Sequence, residues 1–293
     1  MPPDLRAIIC QLQATGPITV DQHMGRATQK LLLDIVAGRY WRSDVLRSDF
    51  PPIDQIVHDA GNYTTSGLLH PQLIRRVRGT LKSGEAVWVR LVGLTADVSE
   101  RLRVFVENPP AGVEVDGVYW VLDEVMTGGK WCASTRFTEL IARQLNAPPR
   151  EKFSMEFASP TTFKVRGMSM PLPIPANVFG SLKNRWEQMT GTTIHDDLLP
   201  FIDYFVMLTK HDIHTQIMRF KKRQPEVGFT GTVSYEIRKY SSYFQKQDPT
   251  LADRLEHHYD DLANWVGLLT DFAFYGGVGG KTTQGMGMVC FSN

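Results

Sequence analysis

Cysteine is scarce in this chain of 293 residues. The three cysteines, Cys10, Cys132 and Cys290, are odd in number and lie far apart along the sequence. A disulfide framework needs paired cysteines, and a structural zinc site needs closely spaced cysteine or histidine ligands. The sequence therefore predicts buried thiols in a reducing cytoplasm and indicates neither disulfides nor a metal knuckle.

Long apolar runs are missing as well. No stretch approaches the ~18 consecutive apolar residues that a membrane-spanning helix requires. The start of the chain, Met1-Pro2-Pro3-Asp4, contains an acid and no basic segment followed by an apolar core, which is not typical of a signal peptide. We expect a cytoplasmic protein without a membrane partner.

Excess positive charge is also absent, because the formal net charge is only +1. A polyanionic partner would therefore have to be bound by local basic patches. Two runs fit this description, Arg219-Phe220-Lys221-Lys222-Arg223 and Arg75-Arg76-Val77-Arg78. Taken alone, either run is better explained as a solvated loop, so its meaning depends on what lies beside it.

Hydrophobic periodicity in the first half of the chain predicts the order β-α-β-β-α-β. The predicted strands are Leu5–Leu12, Thr64–Leu69, Ala86–Leu94 and Val118–Val125, and the predicted helices are Met24–Val36 and Asp97–Val106. Asp97 or Ser99 is expected to cap the second helix. This order is that of a ferredoxin-like domain.

A proline pair within Asn146–Arg150 predicts a boundary between two domains, residues 1–147 and 148–293. The second domain repeats the order of the first. Its predicted strands are Lys152–Ala158, His214–Phe220, Gly228–Arg238 and Lys281–Phe291, and its predicted helices are Ala176–Met189, Asp196–Leu208 and Asp248–Asp271. The sequence thus predicts an α+β protein made of two tandem ferredoxin-like domains.

A glycine-rich segment near the C-terminus, residues 276–287, joins the last predicted helix to the last predicted strand. Glycines let the backbone approach a ligand closely, and successive N–H groups can surround an anion. A Walker A loop or a Rossmann loop follows a strand and begins a helix, so a nucleotide cofactor is not expected. We predict instead that the segment binds an RNA backbone through Gly276, Gly277, Gly279, Gly280, Lys281, Thr282, Thr283, Gly285 and Gly287.

Three motifs in the second half resemble the repeat-processing endoribonucleases of CRISPR systems, the Cas6 family of the RAMP superfamily. The first is the glycine-rich tail, preceded by Phe272-Ala273-Phe274-Tyr275. The second begins at Phe157-Ala158-Ser159-Pro160 and continues through Pro171–Pro175 to Arg185-Trp186. The third is Gly228-Phe229-Thr230-Gly231. Weaker matches in the first half extend the resemblance over most of the chain.

The resemblance implies two ferredoxin-like domains and cutting of precursor CRISPR RNA without a metal. It implies products with a 2′,3′-cyclic phosphate and a 5′-hydroxyl, and retention of the 3′ hairpin of the RNA, in some members together with other Cas subunits of an effector complex. Such chemistry needs a base for the 2′-OH, an acid for the leaving oxygen and a cation for the phosphorane. No metal or other cofactor is expected.

Catalytic candidates lie on and after the first predicted helix. The family commonly places a histidine a few residues after Gly25-Arg26, but that position falls at or near Gln29 in this sequence, and glutamine cannot carry a proton. A substitute is His23, which lies with Arg26 and Lys30 at helical spacing. We therefore predict His23 as the base, Arg26 and Lys30 as cations, and Tyr40 as a further proton donor.

Several alternatives stay open at this point. His23 is equally explained as a surface residue near a helix start. His211 and His214, with Asp212 between them, resemble metal ligands, but no cysteine lies close and a fourth ligand is missing. Phe220 is the better candidate for stacking on a base, with Arg219, Lys221, Lys222 and Arg223 contacting phosphates. Because the family histidine is missing, a non-catalytic CRISPR RNA-binding subunit is the rival of the endoribonuclease.

Overall fold

The first half of the chain forms an antiparallel sheet with helices packed on one face. The computed structural model describes residues 3–20, 22–41, 61–72, 74–220, 225–238 and 242–292. The elements of this half are β1 (Leu5–Ala14), β2 (Ile18–Val20), α1 (Gly25–Val36), β3 (Tyr63–Thr65), β4 (Gly79–Leu81), β5 (Ala86–Gly93), α2 (Ala96–Glu107), β6 (Gly112–Val115), β7 (Val118–Met126), β8 (Ala133–Thr135) and α3 (Phe137–Leu145).

The strand order of this sheet is β3-β5-β1-β7-β6, and β8 also pairs with β1. Of the four strands of the β-α-β-β-α-β unit, β1 and β5 are the central pair of the sheet, and β3 and β7 lie on either side of them. This is the arrangement of a ferredoxin-like domain. Strands β2 and β4 form a separate two-stranded ribbon. This ribbon lies next to the site described below.

The second half repeats the arrangement. Its elements are β9 (Lys152–Thr161), β10 (Phe163–Val165), β11 (Met168–Met170), α4 (Pro175–Thr190), α5 (Leu198–Phe205), β12 (Val206–Met218), β13 (Glu226–Ile237), α6 (Ser242–Gln247), α7 (Pro249–His257), α8 (Tyr259–Gly276), a 3₁₀ turn (Thr282–Gln284) and β14 (Val289–Ser292). The sheet order is β12-β13-β9-β14, and every pairing is antiparallel. The prediction of two tandem ferredoxin-like domains is confirmed.

Several element predictions were wrong in detail. The long helix predicted over Asp248–Asp271 is two helices, α7 and α8, that meet at His258. The last strand is confined to Val289–Ser292, because the glycine-rich segment before it forms a turn rather than extended backbone. The cap of α2 is Thr95, whose hydroxyl accepts a hydrogen bond from the Val98 amide.

Apolar packing continues between the two halves. One buried cluster contains side chains from β1 and β5, including Ile9 and Val92, together with Phe272 and Tyr275 of α8. Trp186 lies in the same cluster with no exposed surface, so it is a core residue. A second cluster packs α1 and α2 onto the first sheet. No helix within the described ranges is long and apolar enough to cross a membrane.

Candidate nucleic-acid interface

The glycine-rich segment is a compact turn whose amides already donate to protein acceptors. Gly280 N–H donates to the Thr162 carbonyl at 2.9 Å, and Gly279 N–H donates to the Ser181 hydroxyl at 3.1 Å. Amides of Gly277, Val278, Gln284, Met286 and Gly287 also donate to backbone carbonyls. These amides are therefore not free to surround a phosphate. The expectation that successive N–H groups of this segment bind an anion is corrected accordingly.

Close packing explains why the segment needs glycine. Gly279 and Gly287 have positive φ angles of 77° and 73°, and a Cβ on either would overlap a backbone carbonyl oxygen. Gly276, Gly277, Gly285 and Gly287 are buried, and Gly280 and Thr283 are partly buried. Thr282 has only 1% of its surface exposed. RNA contact by this segment, including Lys281, stays a prediction.

The segment docks onto the start of α1 in the other half of the chain. His23 Nε2 lies 2.8 Å from the Gln284 carbonyl oxygen. Gly285 forms a parallel bridge with Ser66, whose carbonyl also accepts a hydrogen bond from the Thr28 hydroxyl at 2.5 Å. A Cβ on Gly25 would overlap the Gln284 carbonyl. The glycine-rich turn therefore joins the two domains at His23.

His23 is a buried, neutral imidazole with one unused nitrogen. Only 5% of its surface is exposed, and burial lowers its pKa to about 4, with smaller lowering effects from Arg76 and Lys281. Because a carbonyl can only accept, Nε2 must carry the hydrogen that it donates to Gln284. The lone pair is then on Nδ1, which is buried and has no hydrogen-bond partner in the structure. A buried nitrogen without a partner calls for an explanation, and a functional role is one such explanation.

Phe220 and Lys281 cover the imidazole. The Phe220 ring contacts the His23 ring edge-on, with centroids 5.1 Å apart, and the Arg219 carbonyl accepts the His23 amide at 3.0 Å. Lys281 Nζ lies 4.7 Å from the centroid of the Phe220 ring and forms an ion pair with Glu226. Phe220 is only 5% exposed because it packs with Met218 and Met286, so it is not the exposed stacking platform that we predicted.

An arginine-rich cleft opens beside this cluster. It has a volume of about 960 Å³ and lies between the β2–β4 ribbon and the last residues of β12. Its basic lining residues are His70, Arg75, Arg76, Arg78 and Arg219, and none of the described lining residues is acidic. Both halves of the chain therefore contribute cations to one surface.

Arg76 is the most unusual cation of the cleft. Its Nε and Nη1 atoms are buried without a hydrogen-bond partner in the structure. Burial, with a smaller contribution from Arg78, lowers the pKa of Arg76 to about 10, so the guanidinium remains charged at neutral pH. An unpaired cation that costs desolvation energy is well suited to bind an anion. It also faces His23 closely enough to lower the pKa of that residue.

The remaining catalytic candidates do not gather at His23. Lys30 forms ion pairs with Asp34 at 2.6 Å and with Glu114 at 3.8 Å. The Tyr40 hydroxyl accepts the Glu114 amide at 3.0 Å. Lys30 is seven residues beyond His23, about 10 Å along a helix axis. The predicted cluster of base and cations on one helix face is therefore split, with Lys30 and Tyr40 at its far end.

Some predicted positions give no further support. Arg26 is exposed in the first turn of α1. Lys221, Lys222 and Arg223 lie outside the described residues. His211 and His214 are exposed on β12, and within the described part of the chain no three histidine, cysteine, aspartate or glutamate side chains are close enough to hold a metal.

The second half of the chain matches a known family. Residues 155–289 match the family model of the CRISPR-associated endoribonuclease Cas6. Over these residues the chain is similar to the Cas6 family. The match begins in β9 and ends in β14, so it contains the glycine-rich turn and the β12–β13 hairpin. The predicted family resemblance is confirmed. No sequence among curated proteins matches the chain.

Solved Cas6 structures share the fold of the whole chain. A product complex of a Thermus thermophilus Cas6 has a TM-score of 0.72 at 21% identity, covering 99% of this chain and 100% of the other. A second solved structure of Thermus thermophilus Cas6 has a TM-score of 0.68 at 18% identity, covering 100% of both chains. A Cas6-related protein from Pyrococcus furiosus has a TM-score of 0.57 at 11% identity, covering 99% of both chains.

Gln29 occupies the position where the Cas6 resemblance led us to expect a histidine. Its amide donates to the Tyr63 hydroxyl at 2.9 Å, which is an orienting contact within the first domain. The glutamine side chain cannot titrate, so it can orient a partner but cannot carry a proton. The structure therefore offers His23, rather than the residue at the expected family position, as a buried titratable group beside the arginine cleft; His70 is a second histidine and lines the cleft itself.

Sequence reasoning did not assign two parts of this interface. Arg75, Arg76 and Arg78 were noticed as a basic run, but nothing local indicated that they face β12. Glu226 follows the other basic run and was overlooked, because a single acid beside cations is usually a surface charge. In each case the partner residue is far away in sequence.

Proposed function

We propose that this chain is an endoribonuclease that cuts CRISPR repeat RNA by attack of a 2′-OH on the neighbouring phosphate. The products would be a 2′,3′-cyclic phosphate and a 5′-hydroxyl. The observation that carries the proposal is the arginine cleft, which adjoins a neutral histidine with a free lone pair. Solved Cas6 relatives include a product complex and a substrate-mimic complex, which supports repeat RNA as the substrate class.

The RNA backbone would lie in the cleft, where Arg75, Arg76, Arg78 and Arg219 contact phosphates. Guanidinium groups bind phosphate oxygens by paired, charge-assisted hydrogen bonds. The local concentration of arginines provides the attraction that the chain's small net charge cannot. The exposed Arg26, three residues after His23, would add positive charge at the same surface.

His23 would act as the general base through Nδ1. The bond from Nε2 to Gln284 fixes the tautomer that leaves this lone pair free. A pKa of about 4 keeps the ring neutral, although it also makes the ring a weak base. A bound phosphodiester would raise that pKa, because a nearby negative charge favours the protonated imidazole. Arg76 would then stabilise the negative charge of the phosphorane.

The rival function is a CRISPR RNA-binding subunit that does not cut. One observation favours it: Nδ1 is covered by protein, so RNA must displace part of that cover before the nitrogen can accept a proton. Either function is compatible with a protein that keeps the 3′ hairpin of its RNA and associates with other Cas subunits in the cytoplasm. The two functions differ only in whether a bond is broken.

Incubation of the pure protein with a cognate repeat RNA in EDTA separates the two functions. The endoribonuclease proposal predicts site-specific fragments, with an upstream product that ends in a cyclic phosphate and becomes sensitive to phosphatase only after acid treatment. A gel shift with intact RNA would instead establish the binding subunit. EDTA inactivates contaminating metal-dependent nucleases by chelating their metal, so such nucleases cannot account for the fragments.

A further inference from the structure

Glu226, the first residue of β13, lies at the centre of a charged cluster. Its carboxylate accepts hydrogen bonds from Lys281, from the Ser169 hydroxyl at 2.6 Å and from Lys164 at 3.3 Å. Burial of Glu226 opposes ionisation, but these three donors outweigh it and lower its pKa to about 2. Glu226 is therefore a permanent anion at every working pH.

The Glu226–Lys281 ion pair is connected to His23 through two routes. In the first, Lys281 lies over the Phe220 ring, and Phe220 contacts the imidazole. In the second, Lys281 begins the turn whose Gln284 carbonyl accepts the His23 Nε2–H. Lys281 itself has a left-handed backbone, with φ at 59°, which is unusual for a residue with a side chain. The ion pair therefore holds in place both Phe220 and the turn that contains Gln284, which contact His23.

We propose that Glu226 is a positioning residue that holds His23 in its buried orientation through Lys281 and Phe220. The consequence for catalysis rests on the proposed function, since a fixed imidazole with a free Nδ1 is useful only if the chain cuts RNA. The positioning itself is a property of the RNA-free protein. Lys281 is neutralised by Glu226. Its role in the proposal is to hold Phe220 and the glycine-rich turn against His23, not to bind phosphate.

A purely electrostatic role of Glu226 and a positioning role predict opposite shifts of the His23 pKa when Glu226 is neutralised. The charged groups that face His23 in the described structure are Arg76 and Lys281, and both disfavour the imidazolium. If Glu226 acted only by its charge, Glu226→Gln would remove a compensating anion and lower the His23 pKa further. If Glu226 holds the cluster closed, the same substitution exposes the imidazole to water and raises its pKa.

The test is a titration of the His23 ring by NMR in the full-length, RNA-free protein. The chain has eight histidines, and the His23 signal is assigned by its loss in His23→Gln. In Glu226→Gln we expect the pKa to rise from about 4 toward the ordinary value of 6.5. The ring ¹⁵N shifts should also change from a single Nε2–H tautomer to a mixture, since the Gln284 bond loosens.

Two further variants complete the experiment. Lys281→Met keeps the chain length over Phe220 but removes the ion pair, so it should also give mixed tautomers, and it carries the test if Glu226→Gln does not fold. Lys164→Met is the matched control, because it removes another Glu226 partner that is 54% exposed. It should leave His23 unchanged. A His23 pKa that stays or falls in Glu226→Gln, or a single tautomer in Lys281→Met, would overturn the proposal. Failure of RNA cleavage would not affect it.

Discussion

His23 links the stability of the protein to pH. Its folded pKa of about 4 lies below the ordinary 6.5, so the unfolded chain binds a proton more readily. The stabilising effect of a neutral imidazole is therefore complete above pH 6.5 and is lost as pH falls through 4. A His23→Gln variant lacks this dependence.

Urea unfolding at pH 7 and pH 5 measures this effect. Relative to His23→Gln, the wild-type protein should lose about 2 kcal/mol of unfolding free energy between the two values, as expected for a pKa lowered this far. Parallel losses in both proteins would show that His23 titrates normally in the folded state.

Gly25 should be intolerant of any side chain, although it begins a helix. Alanine there would overlap the Gln284 carbonyl and push the glycine-rich turn away from α1, which we expect to cost roughly 1–3 kcal/mol or more. Gly180 is the matched control within α4, since its Cβ would meet only Leu199 at 3.7 Å. Gly180→Ala should be neutral or stabilising by up to about 1 kcal/mol.

Thermal unfolding of the two alanine variants compares them directly. We expect a lower melting temperature for Gly25→Ala and an unchanged or higher one for Gly180→Ala. Equal melting temperatures would mean that the turn does not press against α1 as described.

At this scale the sequence predicted the residues but not their contacts. His23 was expected near a helix start, and it immediately precedes the α1 cap. Its partner Gln284 is 261 residues away, and no local pattern connects the two. The glycines were noticed for their backbone freedom, yet most of them allow close packing within their own half of the chain, and Gly285 packs against Gly25, Gly67 and His23 of the other half. Such long-range approach is decided by tertiary folding.

Among the elements, β12 and the segment before β4 together form the cleft. Replacing Arg76 or Arg219 by Met should weaken RNA binding and reduce the slope of log K against log salt by up to about one, because each phosphate contact releases condensed counterions. Arg238→Met is the control, since Arg238 follows the opposite end of β13 and is 60% exposed. Fluorescence anisotropy with a repeat RNA at several salt concentrations gives the slopes. Equal slopes in all three variants would exclude the cleft as the backbone site.

Element predictions succeeded where one face of the element is buried. The residues of β1 and β5 alternate between apolar and polar or form apolar runs. Both strands were predicted to within two residues at either end. Strand β12 begins at Val206, eight residues before the predicted start at His214. Most of its side chains are exposed, so it lacks the alternation that marks a half-buried strand. The same exposure is what leaves its end free to line the cleft.

The two domains of the whole molecule share their packing. Arg90, fully buried in β5, donates to the Phe274 carbonyl of α8 at 2.8 Å. Helix α3 precedes the predicted domain boundary, yet its Gln144 donates to Asp271 of α8 at 2.7 Å. The boundary between residues 147 and 148 stays a prediction, but the halves around it are not independent in their contacts.

We therefore expect the chain to unfold in one cooperative transition. Tryptophan fluorescence and far-ultraviolet circular dichroism should give the same urea midpoint, and separately expressed residues 1–147 and 148–293 should each lack a sharp transition. Two separated transitions in the full chain would contradict a shared core. The order of strands in each domain could be predicted from sequence, whereas this shared packing could not, because neither half's hydrophobic pattern indicates which surface it buries against the other.

The central claim is that a neutral His23 beside the arginine cleft accepts the proton of the attacking 2′-OH. Its most direct test is the single-turnover cleavage rate of His23→Ala on a cognate repeat RNA in EDTA, with binding measured on the same samples. The account predicts a rate at least ~100-fold below wild type, as for loss of a general base, with RNA affinity nearly unchanged. Cleavage by His23→Ala at the wild-type rate would contradict it.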